Sequence, residues 1–192
     1  MLMAEGWIKL NVDGCCWGNP GSCKGGGVIR DVQGIFKGAF SSSFGHGTNN
    51  EAELRALLAS VSLCKELGFN QLNIESDSSL IVSWLSSRKC TAWYLWDYWD
   101  DLLILLRDVH FTITHQLREG NSAADFLTRR GEEGNNNTFL DFNSLPRKLK
   151  GILWLDKAGL PQLRWFSGLF HGFPQPQVRP CNKIGRKSLM DR

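Results

Sequence analysis

Val12-Asp13-Gly14-Cys15-Cys16-Trp17-Gly18-Asn19-Pro20-Gly21 closes an apolar strand with a carboxylate and leads it into a glycine-rich turn, where backbone can approach a phosphate or a sugar. Just upstream, Ile8, Leu10 and Val12 alternate with Trp7, Lys9 and Asn11, so Trp7 to Val12 reads as a strand with Asp13 on its polar face at the end. Downstream, Gly25 to Arg30 and Ile35 to Ser41 read as two more strands, joined by the turn-forming Asp31-Val32-Gln33-Gly34. Three sequential antiparallel strands are the natural result.

Further on, Leu54, Leu57, Leu58, Val61 and Cys64 recur at helical spacing up to Gly68, behind the cap candidates Thr48, Asn49 and Asn50. Gln71 to Glu75 reads as a fourth strand and Asp77 to Leu85 as a second helix. Trp93 to Arg107 reads as a third helix, with Trp96, Trp99, Leu102, Leu103 and Leu106 turned toward the core. Phe111 to Leu117 alternates as a fifth strand, which makes His115 a buried, hydrogen-bonded histidine, and Asn121 to Arg130 is a helix stopped by Gly131. This order predicts an α/β fold with a five-stranded mixed sheet, its first three strands antiparallel, and helices on both faces.

The chain has 192 residues, 42% of them hydrophobic, enough for one domain of usual size and an appendage. We place the domain at residues 1–131 and a basic, partly disordered C-terminal extension at 132–192, because a charged, Asn-rich run follows Gly131 and the chain ends in Pro and basic residues. Up to Gly131 there are 12 Lys+Arg against 14 Asp+Glu, and after it 10 against 5, so the net charge of +3 is unevenly spread. An ordinary mixed surface with a basic tail explains that spread as well as a nucleic acid partner does. The six cysteines have neither zinc nor redox spacing, and reduced thiols are expected. Met1 to Leu10 holds Glu5 and Lys9 and no long apolar run, so neither a secretory signal nor a membrane span is expected. The protein reads as intracellular, with nucleus and cytoplasm left open, and as a monomer.

Four acids are candidates for chemistry, and each has a structural explanation. Asp13 ends a strand; Glu53 lies three after Asn50 and suits a capping box; Asp77 suits a helix cap; Asp125 lies three after Ser122 and suits a first helical turn. Their conjunction says more, because the expected fold brings the ends of the first and fourth strands beside the starts of the helices that carry Glu53 and Asp125. Without cations such a cluster is costly through mutual repulsion. Hard divalent ions remove that cost, and carboxylates are ligands that Mg²⁺ prefers.

From about Trp7 to Gly131 the chain resembles type I ribonuclease H, and more closely the plant ribonuclease H-like domains of non-LTR retroelements. The resemblance is carried by the opening stretch, by Thr48-Asn49-Asn50-Glu51-Ala52-Glu53-Leu54, by Ile74-Glu75-Ser76-Asp77-Ser78 and by Arg118-Glu119-Gly120-Asn121-Ser122-Ala123-Ala124-Asp125. It implies that Asp13, Glu53, Asp77 and Asp125 hold two Mg²⁺ ions, for which Mn²⁺ substitutes. Such a pair, roughly 4 Å apart, activates a water and stabilises the leaving oxygen of a phosphodiester. It also implies that Asn19, Asn49 and Asn50 read the minor groove of the RNA strand and that Thr48 holds a phosphate of the DNA strand; 2′-hydroxyl recognition would then select RNA in an RNA:DNA hybrid. Turn formation by Asn19 and capping by Asn49 and Asn50 are compatible with those roles.

The implied activity is metal-dependent hydrolysis of the RNA strand of a hybrid, with a reverse transcriptase as a fused or associated partner. The alternative is a catalytically inactive module of the same fold that binds nucleic acid or protein. Three departures bear on the choice. The loop Leu117 to Asn121 lacks the histidine of many bacterial members, Ser86 to Trp93 offers only Arg88 and Lys89 where some members carry a basic handle, and Cys15-Cys16 stands where Ser or Ala is commoner. The basic tail, including Lys148 and Lys150, is a candidate source of the missing positive charge.

Overall fold

In the computed structural model, residues 6–131 and 136–159 are described. Strands β1 (Ile8–Gly18) and β2 (Gly21–Asp31) form an antiparallel hairpin in unbroken register from Ile8↔Asp31 to Gly18↔Gly21. β3 (Phe36–Gly47) pairs antiparallel with β2. On the other side of β1, β4 (Gln71–Ser76) and then β5 (His110–His115) add in parallel. The helices are α1 (Asn49–Glu66), α2 (Ser79–Ser87), α3 (Trp96–Leu106), α4 (Ser122–Arg130) and α5 (Arg147–Lys157).

The expected α/β architecture is present, with one strand more than the sequence pattern gave. β6 (Asn137–Phe139) pairs with Ala39–Ser41 of β3, so the sheet has six strands in the order β5-β4-β1-β2-β3-β6. Three residues cannot display a period of two, which hid this strand. The hairpin is also longer than expected. β1 runs past Val12 to Gly18, so Asp13 lies in mid-strand; Gly14 and Gly18 interrupt the side-chain alternation but not the backbone pairing.

Alternation divides the core. Ile29 faces a cluster with Leu10, Val12, Leu54, Leu57, Ile74 and Leu102, under α1 and α3. Its neighbour Val28 faces the opposite side, with Ala39, Ala123, Leu127, Leu145, Leu149 and Leu153, under α4 and α5. Residues 145–153, which the sequence reading assigns to the extension, thus complete the second half of the core. The last twenty or so residues, expected to be disordered, lie outside the described residues. Leu149 is fully buried in this second cluster. Leu149→Ala is expected to cost about 2–5 kcal/mol through lost contacts and the cavity left behind, read from the urea midpoint.

Two side chains differ from their expected settings. Trp96 is 55% exposed, whereas Trp99 is buried in edge contact with Trp84. A 3₁₀ turn at Trp93–Leu95 precedes α3 and sets the helix phase that turns Trp96 outward. His115 is exposed at the last position of β5, its Nε2 3.2 Å from the carbonyl oxygen of Asp77. β5 is an edge strand, so one of its flanks is uncovered.

Candidate metal centre

The site forms where β4 leaves β1. The two strands pair as far as Val12↔Ser76, after which β1 continues with β2 as its partner. Asp13 and Asp77 are therefore the first residues beyond the parallel ladder on adjacent strands. Gly14 supplies the third group: a Cβ there would collide with the backbone of Ala52 and Glu53. Its absence lets the first turns of α1 lie against β1, and Gly14 N–H donates to Glu53 Oε2 at 3.1 Å.

The capping roles open to two of the acids are taken by other residues. Thr48 caps α1, its hydroxyl accepting from Glu51 N–H at 3.3 Å, so no Asn50–Glu53 capping box is needed. Ser78 caps α2 through Ile81 N–H, and Asp77 precedes the cap. Asp13, Glu53 and Asp77 each present a ligand atom, and these atoms lie within 4.8 Å of one another. Asp13 is 2% and Glu53 4% exposed, which puts their like charges in a poorly screened setting. A donor set of hard carboxylate oxygens at this spacing suits a divalent ion such as Mg²⁺ or Mn²⁺.

Asp125 is placed differently. It stands in the first turn of α4, with Arg118 Nη2 at 2.8 Å and Arg129 Nη2 at 2.9 Å from its carboxylate oxygens. Burial works to lower the pKa of Arg118, but the hydrogen bond and charge of Asp125, with the charges of Asp13 and Asp77, outweigh it and hold the guanidinium above its ordinary value. Arg118 is thus bound to Asp125 and lies within the field of Asp13 and Asp77. The loop motif contains Arg118, but nothing in the sequence marks it as the partner of Asp125.

Two further residues were missed. Asn121 Nδ2 donates to the carbonyl of Val12 at 2.7 Å, and Thr128 Oγ1 to that of Asp13 at 2.9 Å. Asn121 at the N-cap of α4 and Thr128 within the helix grip β1 on successive residues and fix the height of Asp13 against Asp125. Gly26, paired with Asp13, permits this, because a Cβ there would press into Leu127 and Thr128.

Three of the four expected substrate residues are linked at the hairpin tip. Asn49 Oδ1 accepts from Cys16 N–H at 2.8 Å, and Asn49 N–H donates to Asn19 Oδ1 at 3.0 Å, while Thr48 caps α1 next to them. Asn50 follows in the first turn of α1, half-buried. Contrary to the expectation of reduced thiols, Cys16 and Cys23 form a disulfide across the hairpin, at registered positions with Cα atoms 3.9 Å apart. The register brings the pair together, and spacing along the chain could not reveal it.

The reverse transcriptase-like family matches residues 11–131. A protein of Arabidopsis thaliana named for ribonuclease H is 30% identical over 162 residues, covering 80% of this chain and 25% of its own length. Ribonuclease HI of Halobacterium salinarum is 29% identical over 131 residues, covering 64% of this chain and 62% of its own length. The chain therefore spans less than two thirds of either relative. Among solved structures, RNase H1 of Halobacterium salinarum superposes with a TM-score of 0.63 at 28% identity, over 68% of this chain and 100% of its own. LC11-RNase H1, solved in complex with an RNA/DNA hybrid, gives 0.62 at 26% identity, over 66% and 96%. The fold is that of type I ribonuclease H. The chain belongs to the reverse transcriptase-like family.

Proposed function

We propose that the protein is a metal-dependent endonuclease that cuts the RNA strand of an RNA:DNA hybrid. The observation that carries this reading is the convergence of Asp13, Glu53 and Asp77 at ligand spacing beside the open end of the β1–β4 ladder. Asp13, Glu53 and Asp77 are the core of the metal set, and Asp125, held by Arg118 and Arg129, is its fourth carboxylate. Two divalent ions, Mg²⁺ with Mn²⁺ as substitute, supply an activated water and stabilise the leaving oxygen when bound. The chain's own part is positioning. Glu53 is oriented by Gly14 N–H, Asp13 by the α4 contacts to its strand, and Arg118 adds positive charge next to the acids.

Recognition is assigned to Asn19, Thr48, Asn49 and Asn50, which lie at the hairpin tip and the start of α1. The hybrid in the LC11-RNase H1 structure supports this choice of substrate class. Contacts to 2′-hydroxyls in a wide, shallow groove distinguish the RNA strand from DNA. No helix among the described residues is long and apolar enough to cross a membrane.

One observation favours a second reading. An acid neutralised by two arginines, as Asp125 is, has less need of a cation, which suits a binding module that has lost catalysis. The deciding assay uses a labelled RNA:DNA hybrid in Mg²⁺ and in Mn²⁺ at low salt, beside duplex DNA and duplex RNA. Cutting confined to the RNA of the hybrid is expected; binding without cutting would sink the nuclease reading.

A further inference from the structure

A row of buried polar groups crosses the sheet beneath the site and ends outside the family match. Arg30 on β2 is 5% exposed and holds two partners, Asp156 Oδ2 of α5 at 3.0 Å through Nη1 and Asn11 Oδ1 of β1 at 2.7 Å through Nη2. Asn11 Nδ2 donates both to Glu75 Oε2 at 2.9 Å and to Asn121 Oδ1 at 3.2 Å. Asn121 Nδ2 in turn donates to the carbonyl of Val12, the residue before Asp13.

Donor and acceptor chemistry allows one polarity along this row. A guanidinium can only donate and an ionised carboxylate can only accept, so Asn11 must turn its oxygen to Arg30 and its nitrogen to Glu75. That nitrogen's second hydrogen requires an oxygen from Asn121. The Asn121 amide must then offer its nitrogen to Val12. Arg30 and Glu75 together therefore fix the Asn11 amide, and through it the orientation of the last link.

Asp156 sits in the last turn of α5, where the helix dipole disfavours a carboxylate, so its place is explained by the buried cation it meets. We propose that Asp156 is a positioning residue for the acidic site, acting through Arg30, Asn11 and Asn121 on the strand that carries Asp13. Without it, a buried guanidinium lacks its anion, and Arg30 shifts toward water or toward other acceptors. Asn11 then keeps Glu75 but loses its cationic partner on the oxygen side, and the tie between Asn121 and β1 loosens. The family match stops at Gly131, so this dependence on α5 belongs to the chain rather than to the matched segment.

The inference uses the metal-site reading given above, and its test separates the two. Mn²⁺ binding is measured by calorimetry, and melting temperature in EDTA, for the wild type, Asp156→Ala, and the double variant Arg30→Met with Asp156→Leu. Asp156→Ala is expected to weaken Mn²⁺ binding severalfold, less than the roughly 10–100-fold lost with a group bonded directly to a ligand, and to melt lower. The double variant removes the buried charge and is expected to regain stability, yet to keep the weakened Mn²⁺ binding, because Asn11 still lacks its donor. Wild-type affinity in Asp156→Ala, or affinity restored with stability in the double variant, overturns the proposal. A wild type that binds no Mn²⁺ overturns the metal-site reading itself and the proposal with it.

Discussion

Asp13→Asn is expected to abolish hybrid cleavage, with a loss of about 10³-fold or more, equivalent to ~4 kcal/mol of transition-state stabilisation. The reason is its position. Asp13 is a buried member of the three-carboxylate cluster, and its backbone is held by the β2 pairing and by Thr128. The substitution keeps shape and removes charge, so the fold should survive. Since one of several crowded like charges is gone, the variant should melt no lower than the wild type in EDTA. Mg²⁺ should raise the melting temperature of the wild type and leave that of the variant nearly unchanged, as expected for a ligand that binds only the intact folded site. Single-turnover cleavage and a melting series in EDTA and Mg²⁺ check both halves. Appreciable cleavage by the variant would refute the assignment of Asp13.

Gly14→Ala carries the second large effect, and here stability falls together with activity. The added methyl would enter the backbone of Ala52 and Glu53, so α1 must move away from β1. We expect a cost of about 3 kcal/mol, at the upper end of overpacking penalties, because the obstacle is main chain and cannot rotate aside. The shift also lengthens the Gly14–Glu53 hydrogen bond and takes Glu53 out of the cluster. Restoring the fold at low temperature should therefore not restore cleavage. A variant of wild-type stability by urea denaturation would contradict the close approach of α1 to Gly14.

The contrast between these residues shows what the sequence could tell. α1 was legible because Leu54, Leu57, Val61 and Cys64 repeat with its period and face the core. The acids were legible because each stands in a short motif, so Asp13, Glu53 and Asp77 could be expected to meet. Arg118 was not, because an arginine in a polar loop has no pattern until its neighbours are known. The Arg30–Asp156 pair lies 126 residues apart in sequence and bridges a strand to a helix that carries no motif, so nothing local announces it. Trp96 was misplaced because helical spacing gives a period and not a phase; the 3₁₀ turn ahead of α3 sets the phase.

The second core has a practical side as well. Val28, Ala39, Ala123 and Leu127 are covered by Leu145, Leu149 and Leu153, all beyond the residue where the family match ends. A chain cut at Gly131 would expose that apolar face to its neighbours in solution and invite aggregation. Anyone expressing the matched segment by itself would then recover little protein, and would score as a dead enzyme what was a truncated fold.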